Sequence, residues 1–201
     1  MNNIYHKAAL SCAHVYTNNI ELDFSTNYFY EVYEVNNQLR QKISIAGTQT
    51  NDFKDWLKNF NLFSWKKIKL SAYLAAGRIH NDLIKHSRIN PDLPLDITGH
   101  SLGGGVAIAY NLRFQCDKCI AFAPARVIRY SHYYANNLLP NTTLFVDPDD
   151  YVSQVLAGIS FCLPKAIKYK LPENHIGYSI DDHPIENFIN YTNKLIKKGN
   201  N

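Results

Sequence analysis

Apolar and polar residues follow two periods along this chain, and the changes from one period to the other mark out its elements. From Ile4 to Tyr16 the apolar positions recur at helical spacing. Tyr28 to Val35 and Leu39 to Ala46 read as strands joined across Asn36 and Asn37, a short hairpin. Asn51 to Phe60 sets Phe53, Trp56, Leu57 and Phe60 on one stripe, with Asp52, Lys54, Asp55 and Lys58 largely elsewhere, and predicts an amphipathic helix. A longer helix is predicted over Leu70 to His86, a short buried strand over Leu95 to Thr98, and a helix rich in Ala and Gly over Leu102 to Arg113. Cys119 to Ala123 and Thr143 to Val146 follow as buried strands, and Pro184 to Lys197 closes the chain as a helix. Strands alternating with helices predict an α/β fold, a mostly parallel central sheet with helices on both faces. No repeat or low-complexity linker interrupts this pattern, so residues 1–201 are expected to form a single domain.

Composition narrows the classes open to such a fold. With 201 residues, 46% hydrophobic and 19% charged, the chain can bury one good core and is neither disordered nor fibrous. Its 21 Lys and Arg against 17 Asp and Glu give +4, clustered only at Lys66, Lys67 and Lys69 and at Lys194, Lys197 and Lys198. That falls short of the basic stripe of a nucleic-acid binder, while a weak preference for anionic lipid surfaces remains open. No window approaches the roughly 20 apolar residues of a membrane span. The first residues are interrupted by His6, Lys7, Ser11 and His14, so the expectation is a cytoplasmic protein without a cleavable leader. Cys12, Cys116, Cys119 and Cys162 are too scattered for a disulfide framework, and the one C-x-x-C lacks a second pair to complete a zinc site. They are expected to act as small buried hydrophobes, and neither metal nor cofactor is expected.

The candidate chemistry lies between the strand at Leu95 to Thr98 and the helix from Leu102. There Gly99-His100-Ser101-Leu102-Gly103 forms G-x-S-x-G. A sharp strand-to-helix turn forces its central residue into a strained conformation and admits only small residues two positions either side, in return lifting a hydroxyl above the sheet at a helix N-terminus. A serine hydroxyl is a poor nucleophile near neutral pH and needs a base oriented by a carboxylate. On this kind of elbow the chain order is Ser, acid, His. His6, His14, His80, His86 and His132 are thereby set aside, His100 should point away from the site, and His175 and His183 remain. Thr143 to Val146 runs into Asp147, Asp149 and Asp150, three candidate acids. For the oxyanion, the backbone N–H of Leu102 is one donor, and Thr48, after a strand ending in Gly47, can offer its N–H and its side chain. A simple turn before a helix is the plainer reading of Gly47-Thr48.

These residues together resemble the class 3 lipases, a fungal-type triacylglycerol lipase family of α/β-hydrolases. The resemblance runs from about Tyr28 to Phe188 and is carried by the stretch Leu95 to Gly104, by Ala46-Gly47-Thr48 followed by Asp55-Trp56-Leu57, and by Phe122 to Arg126. It implies Asp150 as the triad acid, because Asp150-Tyr151-Val152 matches the family's Asp-x-Val. It implies His183 as the base, through His183-Pro184-Ile185-Glu186 and Phe188. Thr48 and Leu102 become the oxyanion residues, and residues 51–63 map to the family's lid, whose Phe53, Trp56, Leu57 and Phe60 would close over the site or dock on a lipid surface; an amphipathic helix packed on the sheet is the plainer reading. The departures are Ala46 where the family usually has Arg and Ser153 where it usually has Pro. The implied activity is hydrolysis of glycerolipid acyl esters, as a lipase or phospholipase A1. A small soluble carboxylesterase or thioesterase, and a catalytically silent hydrolase-like scaffold that binds a partner, are the other readings.

Overall fold

The computed structural model describes residues 3–17, 27–47, 65–129, 137–150, 161–172 and 184–199. In chain order its elements are α1 (Asn3–Thr17), β1 (Tyr28–Val35), β2 (Gln38–Ile45), α2 (Trp65–Lys85), β3 (Leu95–His100) and α3 (Leu102–Phe114). They continue with β4 (Lys118–Phe122), β5 (Ile128–Arg129), β6 (Leu138–Val146), β7 (Phe161–Cys162), β8 (Lys165–Lys170) and α4 (Ile185–Gly199). Six strands form one sheet in the order β1-β2-β3-β4-β6-β8. The β1–β2 hairpin is antiparallel, and every later pairing within this sheet is parallel. Asn36 and Asn37 turn the hairpin with φ of 51° and 60°, the left-handed pair that a two-residue turn demands and asparagine tolerates.

Strand alternation decides which helix each side chain meets. In β2, Ile43 and Ile45 enter a core with Ala72, Ala76, Ile79 and Leu83 of α2 and with Val106 and Tyr110 of α3. Lys42, on the other face, places its Nζ 2.6 Å from Ser11 Oγ of α1. In β4, Cys119 and Ala121 join the first core, whereas Ile120 and Phe122 join a second with Ala8 and Cys12 of α1 and Phe188 of α4. Phe145 of β6 stacks between Phe122 and Tyr169 there, with ring centroids 5.0 and 4.9 Å away. Among the described residues two helices therefore cover each face, α2 and α3 on one and α1 and α4 on the other.

The strands buried on both faces fall where the apolar runs predict them. β8 was not among the expected strands, because Lys-Ala-Ile-Lys-Tyr-Lys is an edge strand whose lysines hide the alternation. The two-residue ribbon of β5 and β7 was also not expected, β6 begins at Leu138 instead of Thr143, and α2 begins at Trp65 instead of Leu70. All four cysteines are free, and burial pushes the thiols of Cys12 and Cys119 up to about 12, so these two behave as inert apolar groups. Among the described residues no helix is long and apolar enough to cross a membrane. The helix expected over residues 51–60, with Phe53, Trp56, Leu57 and Phe60, lies outside the described residues.

Candidate active site

Between the end of β3 and the start of α3 there is one residue, Ser101. Its backbone has φ 57° and ψ −124°, a conformation that costs a non-glycine residue about 1–3 kcal/mol. Neighbouring strands hold it there. Its N–H donates to Phe122 O at 3.0 Å, and its carbonyl accepts from Ala125 N at 2.9 Å and Gly105 N at 3.2 Å. The two flanking glycines are sterically required: a Cβ on Gly99 would sit 2.2 Å from Gly103 O, and one on Gly103 would sit 2.5 Å from Ala46 O. Ser101 occupies the N-cap position of α3, yet its hydroxyl makes no capping bond, so this oxygen is not committed to the helix.

The end of β2 passes directly over the serine. A Cβ on Gly47 would lie 2.7 Å from Ser101 Cβ and 2.9 Å from His100 O. The chain leaves this point as Thr48, which itself lies outside the described residues. Leu102 opens α3 beside it, and its N–H is one of the first-turn amides that the helix cannot satisfy internally.

Tyr16, near the end of α1, fastens this junction from the far face. Its hydroxyl accepts from Gly47 N–H at 2.9 Å and lies 2.7 Å from His100 Nδ1. With that N–H as its donor, the hydroxyl still has a proton of its own to share with Nδ1. The His100 ring meets those of Tyr16 and Phe188 at 5.7 and 6.1 Å between centroids. It therefore points away from the serine hydroxyl, as its strand position requires. Burial, the largest cause, pushes the Tyr16 phenol well above its ordinary range, so it remains a proton donor. Sequence reasoning set His100 aside correctly and missed Tyr16, whose only signal is a tyrosine at the end of an apolar helical face.

Beyond β6 stand the three candidate aspartates, of which Asp147 and Asp150 are both buried. Asp147 Oδ1 accepts the Asp149 N–H at 3.0 Å, and Asp147 O accepts the Asp150 N–H at 3.3 Å. This is an aspartate shaping its own turn. Asp150 is 0% exposed, an unusual position for a carboxylate. Ser101, Leu102, Gly47 and Asp150 thus all stand at the carboxyl end of the parallel strands, where ligands of open α/β sheets bind. His183 and its rival His175 lie outside the described residues.

A parallel sheet covered on both faces, with a strained serine on a strand-to-helix turn at its carboxyl end, defines an α/β-hydrolase. The family described as lipase (class 3) matches residues 20–158. The chain belongs to the class 3 lipase family and is a lipase-like carboxylic ester hydrolase. Among solved structures it is similar to the Lip2 lipase of Yarrowia lipolytica, at 14% identity over 85% of this chain and 78% of that one, with a TM-score of 0.51. A predicted CIB-like hydrolase of Thermoplasma acidophilum has 16% identity over 86% and 93%, TM-score 0.43. Lipase II of Rhizopus niveus has 15% over 77% and 74%, TM-score 0.39. No curated protein matches. At 14% identity the likeness to Lip2 is one of fold.

Proposed function

We propose that this carboxylic ester hydrolase acts on acyl esters of glycerolipids through Ser101, Asp150 and His183, in a single domain. His183 takes the Ser101 proton as the hydroxyl oxygen attacks the acyl carbonyl, and Asp150 orients the imidazole and stabilises the imidazolium. The N–H groups of Leu102 and Thr48 receive the negative charge that develops on the carbonyl oxygen. The imidazolium returns its proton to the leaving alcohol, and water then releases the fatty acid from the acyl-enzyme by the same steps. Residues 51–63 would close over the serine or dock on the lipid surface through Phe53, Trp56, Leu57 and Phe60.

The observation that carries this reading is Ser101 itself. It is held in a strained backbone at a helix N-terminus, with no capping bond from its hydroxyl and the end of β2 against its Cβ. Strain maintained by so many surrounding contacts is characteristic of functional positions. The test is a hydrolysis panel of neutral glycerides, phospholipids and short p-nitrophenyl esters, run on the unmodified chain and Ser101→Ala. Loss of all hydrolysis in the variant, together with fluorophosphonate labelling at Ser101, is the expected result. Full activity in the variant overturns the assignment.

A further inference from the structure

The two edges of the main sheet are built differently. β8 carries Lys165, Lys168 and Lys170, and its pairing with β6 is broken by a register shift between Leu138 and Thr143. Lysines and irregular pairing are devices that keep an edge from adding a strand of another chain. β1 has neither: its 8 residues include no Lys or Pro and pair with β2 in unbroken register, and among the described residues no strand pairs with its other side. Asn27 O accepts the Ala46 N–H at 2.9 Å, which fixes the phase of the ladder. Odd-numbered positions therefore direct their backbone groups to β2, while Tyr28, Tyr30, Val32 and Glu34 turn theirs to the open edge.

A second copy of this chain suits that edge. In an antiparallel pairing about a two-fold axis normal to the sheet, opposed residues must lie on the same face, so only two registers use nearly the whole strand. One sets Glu31 against Glu31 of the second copy, and like charges directly opposed are unfavourable. The other sets Val32 against itself, Tyr30 against Glu34 and Phe29 against Val35, and pairs the edge-directed backbone groups of Tyr30, Val32 and Glu34. This register also brings unlike charges together. Burial pushes the Tyr30 phenol up and the nearby charge of Arg88 opposes it, and the Arg88 carbonyl accepts the Tyr30 hydroxyl. Glu34 of one copy thus comes opposite Tyr30 of the other, beside which the exposed Arg88 stands, and the axis repeats the match. Val32, 51% exposed at mid-strand, is covered by its own counterpart.

We propose that β1 is a self-recognition edge, through which two copies of this chain join their sheets about a two-fold axis at Val32. Sedimentation velocity of the full chain from about 1 to 100 µM is expected to show a monomer–dimer equilibrium. Val32→Lys opposes two ammonium groups at the axis and is expected to weaken association at least about tenfold. Val32→Thr, neutral and β-branched, and Ile167→Lys, the same charge placed on an exposed position of β8, should leave it within about twofold. Glu34→Arg is expected to weaken the dimer and Glu34→Arg/Arg88→Glu to restore it. Opposed Cα atoms about 5.5 Å apart lie within disulfide reach, so under mild oxidation Val32→Cys should cross-link two chains, while Glu31→Cys and the unmodified chain do not. A monomer at every concentration overturns the proposal. A dimer that Val32→Lys leaves intact is joined elsewhere and overturns it as well. Cross-linking by Glu31→Cys and not by Val32→Cys overturns the axis at Val32.

Discussion

At the amino end of β3, Asp96 receives the Arg40 guanidinium, with Nε at 2.9 Å, and the Tyr33 hydroxyl. Close by, Asn111 of α3 donates to Asn141 and Thr142 at 2.9 and 3.0 Å. At the carboxyl end of the same strand, Ser101 sits at φ 57° with no capping bond from its hydroxyl, and Gly99 and Gly103 press against backbone. One end satisfies its polar groups with side-chain partners, as buried charges require. The other holds a polar group ready in a conformation that only the surrounding backbone maintains. Stability and activity should therefore respond to substitution at opposite ends of one strand.

The largest expected effect tests that separation directly. Ser101→Ala should lower kcat by about ten-thousandfold or more, while thermal melting shifts by no more than about 2 °C; an equal loss in both would erase the distinction. Gly99→Ala should damage both properties. Its Cβ meets Gly103 O at 2.2 Å, backbone against backbone, so a loss of about 3 kcal/mol in urea unfolding is expected along with the activity. Asp96→Asn gives the opposite pattern. It leaves the Arg40 charge without its carboxylate, its side chain being 13% exposed, and should reduce stability by about 2 kcal/mol with kcat per folded molecule within about twofold.

Tyr16→Phe is the smallest of these effects and the one that sharpens the comparison most. It removes only the oxygen shared by Gly47 N–H and His100. Stability should fall by about 1 kcal/mol and kcat by roughly tenfold with KM little changed, since the residue positions the strand end and touches no substrate. A change in KM alone would show that Tyr16 serves binding instead.

The elements legible in the sequence were those with a strong local signal. β3 and β4 are short apolar runs because both their faces are buried, and α3 shows its Ala and Gly spacing because it packs closely over the sheet. The elbow was legible for a similar reason: Gly99, Ser101 and Gly103 are spaced by the geometry of one turn. Asp150 could be picked out of three aspartates only through family resemblance; Asp147, whose Oδ1 holds its own turn, is as deeply buried as Asp150. β8 stayed hidden because an edge strand buries little and carries lysines that mask its period.

Local backbone geometry is written in residue spacing, so the chain by itself determined the class of fold, the strained serine and the helix that follows it. The docking of α1 against the end of β3, which brings Tyr16 to Gly47 and His100, was decided only by the tertiary structure. Such contacts depend on how strands order themselves across a sheet, and that order follows from the burial of whole faces, which no short run of residues contains.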